Sequence, residues 1–144
     1  MAGARRRILL VDDNKEDRFL LMQALAEAGL DCDIDEACDG EEAESYLFRK
    51  MNESGLPQLV ILDLLLPKLS GRELMEKLCL AGLDKLTKVV FLSSILPDDE
   101  VTRLQEMGAW RVFEKPMDLR GFSALAKFMK EHGAAETLSA AQAS

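Results

Sequence analysis

The sequence predicts an α/β domain: one parallel sheet of five strands with helices on both faces. Three observations predict it. Short, β-rich apolar runs alternate with longer amphipathic stretches, five times in succession. The residues that stop or turn a chain, Gly and Pro, fall at or between the ends of these runs. No internal repeat supports a solenoid instead. Strand–helix units in series connect by right-handed crossovers, and that makes the sheet parallel.

The first strand, Ile8–Val11, is short and wholly apolar, as a strand buried on both faces should be. A helix is expected over Lys15–Ala28, with Phe19, Met22, Leu25 and Ala26 on its inner face at spacings of three and four. Gly29 suits its C-terminal stop. Asp33–Ala37 is the weakest strand. The helix over Gly40–Met51 turns Ala43, Tyr46, Leu47 and Met51 inward. Leu59–Leu62, Val89–Leu92 and Arg111–Phe113 complete the strands. Helices over Gly71–Ala81 (Leu74, Leu78, Ala81) and Asp98–Met107 (Val101, Leu104, Met107) separate them. The last helix, Asp118–Glu131, carries Leu119, Phe122, Ala126 and Met129. Asp98 and Asp118 suit N-terminal caps, while Gly82, Gly108 and Gly133 suit stops. Pro57, Pro67, Pro97 and Pro116 fall between elements.

The 144 residues suffice for one domain. The pattern occupies 7–131; residues 1–6 are expected to be a disordered start and 132–144 a tail or helical extension. Apolar residues at 48% and charged residues at 31% exclude disorder of the whole chain. A net charge of −8 argues against nucleic acid and anionic membrane as partners. Cys32, Cys38 and Cys79 show no paired spacing and read as reduced, buried thiols. His132 is the single histidine, which disfavours zinc. Most methionines, Met117 among them, fall at core spacings. The apolar run behind Arg5, Arg6 and Arg7 is far shorter than the roughly 7–15 residues of a secretion signal or the roughly 20 of a membrane span. A cytoplasmic protein is expected.

In parallel α/β sheets ligands bind beyond the carboxyl ends of the strands. There the sequence places Asp12 and Asp13, then Asp63, then Ser93 and Ser94, then Lys115 before Pro116. Three carboxylates so placed repel one another, and a hard divalent cation relieves them. Mg²⁺ takes a few carboxylates and leaves room for phosphate oxygens. Lys115 adds a compact charge for a phosphoryl oxygen or a carboxylate, and a serine hydroxyl adds a donor. These are parts for moving a phosphoryl group onto a carboxylate, with Asp63 as nucleophile. Any one of them alone is an ordinary cap or turn residue. The set on successive strand ends is not.

Four stretches carry a resemblance: Ile8 to Asp13 (ILLVDD), Leu62 to Pro67 (LDLLLP) with Gly71, Leu92 to Ser94 (LSS), and Glu114 to Pro116 (EKP). As an ordered set they resemble the receiver domain of bacterial response regulators, over about residues 7–131. The resemblance implies a flavodoxin-like (CheY-like) sheet in the order 2-1-3-4-5, with five helices in a three-layer sandwich. It implies phosphorylation of Asp63 by a phosphohistidine donor, with Mg²⁺ as cofactor. Asp13, Asp63 and the backbone carbonyl of Leu65 would hold the metal directly, and Asp12 through water. Ser93 would follow the phosphoryl group, and Lys115 would contact one of its oxygens. The Lys115–Pro116 bond is expected to be cis.

The chain departs from that pattern at three places. Val112 stands where the family usually has Tyr or Phe, so an aromatic rotamer switch cannot operate there. Leu65 and Ile95 are apolar where the family tunes loss of the phosphoryl group, which predicts slow self-dephosphorylation. Ser94 replaces a smaller Ala or Gly.

Too few residues follow Glu131 for an effector domain, so a signal would be read by protein binding. The resemblance places the reading face at the fourth helix, fifth strand and fifth helix, near Trp110, Arg111, Val112 and Phe128. Trp110 reads equally as a partner anchor and as a cover on the core edge. The partner upstream would be a sensor histidine kinase or a phosphotransfer protein; the downstream target is unnamed. Residues 49–58 and Leu66 to Glu73 (LPKLSGRE) resemble stand-alone receivers that serve phytochrome-type sensor kinases, some of which form homodimers. The expected protein is a signalling phosphoacceptor, an enzyme only toward itself. A phosphate sink or shuttle and a phosphate-independent scaffold are the nearest alternatives. A haloacid-dehalogenase-type phosphohydrolase would need an Asp at Leu65. A nucleotide module would need GxxxxGK[ST] or GxGxxG, and neither occurs.

Overall fold

The computed structural model describes residues 6–53 and 55–133. Its elements are β1 (Arg6–Val11), α1 (Lys15–Glu27), β2 (Cys32–Ala37), α2 (Gly40–Asn52), β3 (Leu59–Asp63), α3 (Gly71–Leu80), β4 (Lys88–Ser93), α4 (Asp98–Glu106), β5 (Arg111–Glu114) and α5 (Leu119–Phe128). A 3₁₀ turn lies at Leu83–Lys85, and a π-helical turn, Met129–Gly133, extends α5. The sheet is parallel throughout, in the order β2-β1-β3-β4-β5. The expected fold class therefore stands.

Each face of the sheet has its own core, because side chains alternate along the strands. On one face Ile8, Leu10, Ile61 and Val90 pack with Leu21 and Leu25 of α1 and Phe122 of α5. On the other, Leu9, Val11, Leu62 and Phe91 pack with Leu47 of α2, Leu74 of α3 and Leu104 of α4. β3 and β4 are buried at every position. They are central strands covered on both sides, hence their uninterrupted apolar runs. β2 is an edge strand with one fully buried residue, which is why its signal is weak.

Caps set where the helices start. Asn14, Asp39, Ser70 and Asp118 each accept a backbone N–H from the first turn that follows. Ser70 and Glu73 close a capping box. At Gly40 an added Cβ would sit 1.8 Å from the Leu69 carbonyl oxygen, so only glycine lets α2 start against the β3–α3 loop. That loop turns through Lys68, whose φ of 70° is unusual for a residue with a side chain. Lys68 pairs with Asp39 at 3.5 Å.

Several expectations are corrected. Arg6, placed in the disordered start, already pairs with Cys32 in β1. Residues 1–5 and the tail from 134 lie outside the described residues, while His132 sits in the π-helical turn. The inner face of α1 is Leu21, Ala24 and Leu25, and Phe19 is 60% exposed. Four apolar residues in a row, Phe19 to Met22, offered two stripes, and the sheet takes the other. Ala26, Ala81 and Leu119 are exposed too. Asp98 is the first residue of α4; Pro97 holds the cap position without a side-chain bond. Met117 is 99% exposed because it lies in the β5–α5 loop. Cys38 is exposed between β2 and the Asp39 cap, and Cys32 and Cys79 are half-buried.

Candidate functional site

The carboxyl ends of β1, β3, β4 and β5 bring the expected residues together. Asp12 extends the β1 ladder, its N–H donating to the Ala37 carbonyl at 3.1 Å. Asp63 is the last residue of β3, in register with Leu92 of β4. Ser93 ends β4, and its carbonyl accepts the Lys115 N–H at 2.8 Å. Asp12 and Asp63 are buried, whereas Asp13 is exposed at the rim. α3 begins immediately beside Asp63: a Cβ on Gly71 would lie 2.4 Å from the Asp63 carbonyl oxygen. The glycine after the β3 loop is thus required by close approach of backbone to backbone.

Lys115 is the hub. Its Nζ donates to Asp12 Oδ2 at 2.8 Å, to Asp63 Oδ2 at 3.0 Å and to Asp17 Oδ2 at 3.0 Å. Burial works against its charge, but the bonds to Asp12, Asp17 and Asp63 outweigh that and push its pKa up. Asp63 Oδ1 accepts the Leu65 N–H at 3.1 Å. Burial nonetheless raises the Asp63 pKa, against the lowering effect of the bonds from Lys115 and the Leu65 N–H, with the Asp12 charge adding to the rise.

A carboxylate oxygen from each of Asp12, Asp13 and Asp63 lies within 4.8 Å of the others. An all-oxygen, acidic donor set of this kind fits a hard divalent cation. The Ser93 hydroxyl is buried and has no hydrogen-bond partner among the described residues. An unsatisfied buried hydroxyl is costly.

Sequence reasoning missed Asp17. It lies in the first turn of α1, directly after the strand end, and such a turn points back at the edge its strand supplies. The Lys115–Pro116 bond, expected to be cis, is trans, as are all peptide bonds among the described residues. Before proline trans is favoured by about 0.5–1 kcal/mol, and with it the ammonium already reaches its three carboxylates.

On the expected reading face, Val112 is half-buried against the core of α2, α3 and α4. Trp110 is half-buried, with Lys88 Nζ 4.7 Å and the Arg111 guanidinium carbon 4.5 Å from its ring centre. Phe128 packs 5.9 Å from Trp110, 5.4 Å from Phe113 and 4.8 Å from His132. Trp110 therefore covers the core edge, Phe128 packs over Trp110 and Phe113, and both stay half-buried.

Residues 8–127 match the family model of the response regulator receiver domain, and the chain belongs to that family. Receiver domains are signalling phosphoacceptors with an acidic, metal-binding pocket, and no helix among the described residues is long and apolar enough to cross a membrane. The crystal structure of the phosphorylated cyanobacterial phytochrome response regulator RcpA superposes with a TM-score of 0.83 at 29% identity, covering 93% of this chain and 98% of that one. The Mn²⁺-bound response regulator Rcp1 gives 0.79 at 26% identity, covering 90% and 94%. Response regulator Rcp1 of Synechocystis sp. is 32% identical over 69% of each chain. The probable methanogenesis regulatory protein FilR2 of Methanothrix harundinacea is 30% identical over 87% of this chain and 81% of its own length. The chain spans about half the length of the transcriptional regulators it also matches.

Proposed function

We propose that this receiver domain accepts a phosphoryl group on Asp63 from the phosphohistidine of a sensor kinase or phosphotransfer protein. A partner then reads the modified form. What carries the proposal is the convergence at one sheet edge of the clustered Asp12, Asp13 and Asp63, the Lys115 ammonium and the unpartnered Ser93 hydroxyl.

In this reading an Asp63 oxygen attacks phosphorus, the P–N bond breaks, and the imidazole leaves with the electron pair. Asp13 and Asp63, with the Leu65 carbonyl, would hold Mg²⁺, and Asp12 would reach it through water. The cation would offset the charge of the acidic edge and of the phosphoryl oxygens. Lys115 would move from Asp63 Oδ2 to a phosphoryl oxygen, and Ser93 would donate to another.

The surroundings suit docking of a phosphodonor protein. Phe19, Leu65, Ile95, Met117 and Leu119 are exposed large apolar side chains, and all lie on segments that follow the strand ends. In this reading they offer apolar contact beside a charged centre.

Intact mass after incubation with acetyl phosphate and Mg²⁺ tests the reading. Wild type is expected to gain one phosphoryl group and Asp63→Asn none. Equal gain in both, or no gain in either, overturns the assignment of Asp63. Two of these residues also bear on lifetime. Leu65 and Ile95 are expected to keep water from the acyl phosphate, so Leu65→Asn should speed its decay about tenfold. An unchanged decay rate would count against the apolar shield.

A further inference from the structure

We infer that Asp17 is a positioning residue for Lys115: it keeps the ammonium at the sheet edge when Asp12 and Asp63 give it up. This role presupposes the phosphoacceptor assignment of Asp63 and deepens it.

The local sequence builds the position. Asp12 Oδ1 accepts the Asn14 N–H at 2.9 Å, and Asn14 Oδ1 accepts the Asp17 N–H at 3.1 Å. This relay fixes the first turn of α1 against the end of β1. Asp17 Oδ2 then meets Lys115 Nζ at 3.0 Å, the same length as the Lys115–Asp63 bond. An ammonium has three protons and no acceptor. Asp12, Asp17 and Asp63 take all three.

These three carboxylates are not equivalent. Asp12 and Asp63 also belong, with Asp13, to the oxygen cluster that fits a divalent cation, and Asp17 does not. Cation binding draws on Asp12 and Asp63. Phosphorylation of Asp63 would turn its carboxylate into an acyl phosphate and move the negative charge outward onto the phosphoryl oxygens. Both events would change the Asp12 and Asp63 oxygens that Lys115 uses, whereas Asp17 lies outside the cation cluster. With Asp17 present, the ammonium keeps a counter-charge beside an incoming cation. Without it, the edge keeps three carboxylates instead of four to offset the ammonium and the cation together. The Asp17 side chain is 24% exposed, against 8% for Asp12 and 9% for Asp63, so it stands at the outer side of the cluster.

Calorimetric titration of Mg²⁺ into the full chain, with no phosphodonor present, tests this. Asp17→Asn is expected to raise the Mg²⁺ dissociation constant about tenfold, the lower end of what outer partners of a metal site cost. Asp17→Glu should restore it to within about threefold. Glu16→Gln makes the same charge change one residue earlier on the exposed first turn. It should shift the constant by no more than about twofold, since exposed charges are screened. Acetyl phosphate labelling of wild type runs alongside. If wild type binds no Mg²⁺, the phosphoacceptor reading falls and this inference with it. If wild type binds Mg²⁺ and takes the phosphoryl group while Asp17→Asn binds Mg²⁺ equally well, this inference alone falls. If Glu16→Gln weakens binding as much as Asp17→Asn, general charge is the cause and the positioning role is overturned.

Discussion

Lys115→Met is expected to cost about 3 kcal/mol of stability in the absence of Mg²⁺. Methionine keeps most of the length of the side chain and removes the charge. In the wild type an ammonium 11% exposed satisfies two carboxylates that are 8% and 9% exposed, and a third that is 24% exposed. Orphaning a buried ion costs about 3–5 kcal/mol; the partial solvation of Asp17 places this case at the lower end. Mg²⁺ should recover much of the loss, because it binds only the folded arrangement of carboxylates and takes over the task of the ammonium. Urea unfolding with and without Mg²⁺ reads both effects. An equal deficit in the two conditions would show that packing, not charge, causes it. Phosphoryl transfer in this variant should slow about a hundredfold, the usual cost of one lost donor to a charged transition state.

Asp63→Asn is expected to be more stable than wild type at neutral pH without Mg²⁺, by about 1 kcal/mol. Burial holds the Asp63 pKa above the ordinary carboxylate value, with the Asp12 charge adding to it, despite the opposing bonds from Lys115 and the Leu65 N–H. A raised acid pKa means that the folded state binds the proton more readily than the unfolded state. Ionisation of Asp63 therefore opposes folding. That cost is absent below the unfolded-state pKa, grows as pH rises, and is complete above the folded-state pKa. The gain from Asp63→Asn should accordingly shrink as pH falls through the carboxylate range and vanish below it. Lys115 retains Asp12 and Asp17 in the variant, so no new orphan is created. Chemical denaturation across pH checks the prediction, and a wild type that is the more stable at neutral pH would refute it. Asp63 would then be half of a stabilising ion pair rather than a reactive group held ready at a cost.

The sheet was legible because β1, β3 and β4 carry apolar runs, and burial on both faces writes itself as composition; β5, at the other edge, has no fully buried residue. The edge strand β2 was fainter, since Cys32–Ala37 is half water-facing. Helix faces were less legible where apolar residues cluster. In α1 the run Phe19 to Met22 supports two stripes, and only packing against the sheet and α5 selects Leu21 and Leu25. Asp12, Asp13, Asp63, Ser93 and Lys115 could be found because the topology puts strand ends on one edge. Asp17 could not. It is one of two acids in a first turn where acids are ordinary, and its bond to Lys115 spans 98 residues of sequence. Nor does anything local mark Met117 as exposed, because an apolar residue in a loop looks like one in a core until the loop is placed.

Trp110 is the only tryptophan in the sequence. It stands one residue before β5, with a lysine and an arginine against its ring and Phe128 beside it. An indole emits at a wavelength set by the charges around it. Any rearrangement that moves Lys88 or Arg111 relative to that ring changes the colour of the emitted light. The strand that carries Val112 thus comes with its own optical gauge, and the state of this edge can be followed in solution with no label attached.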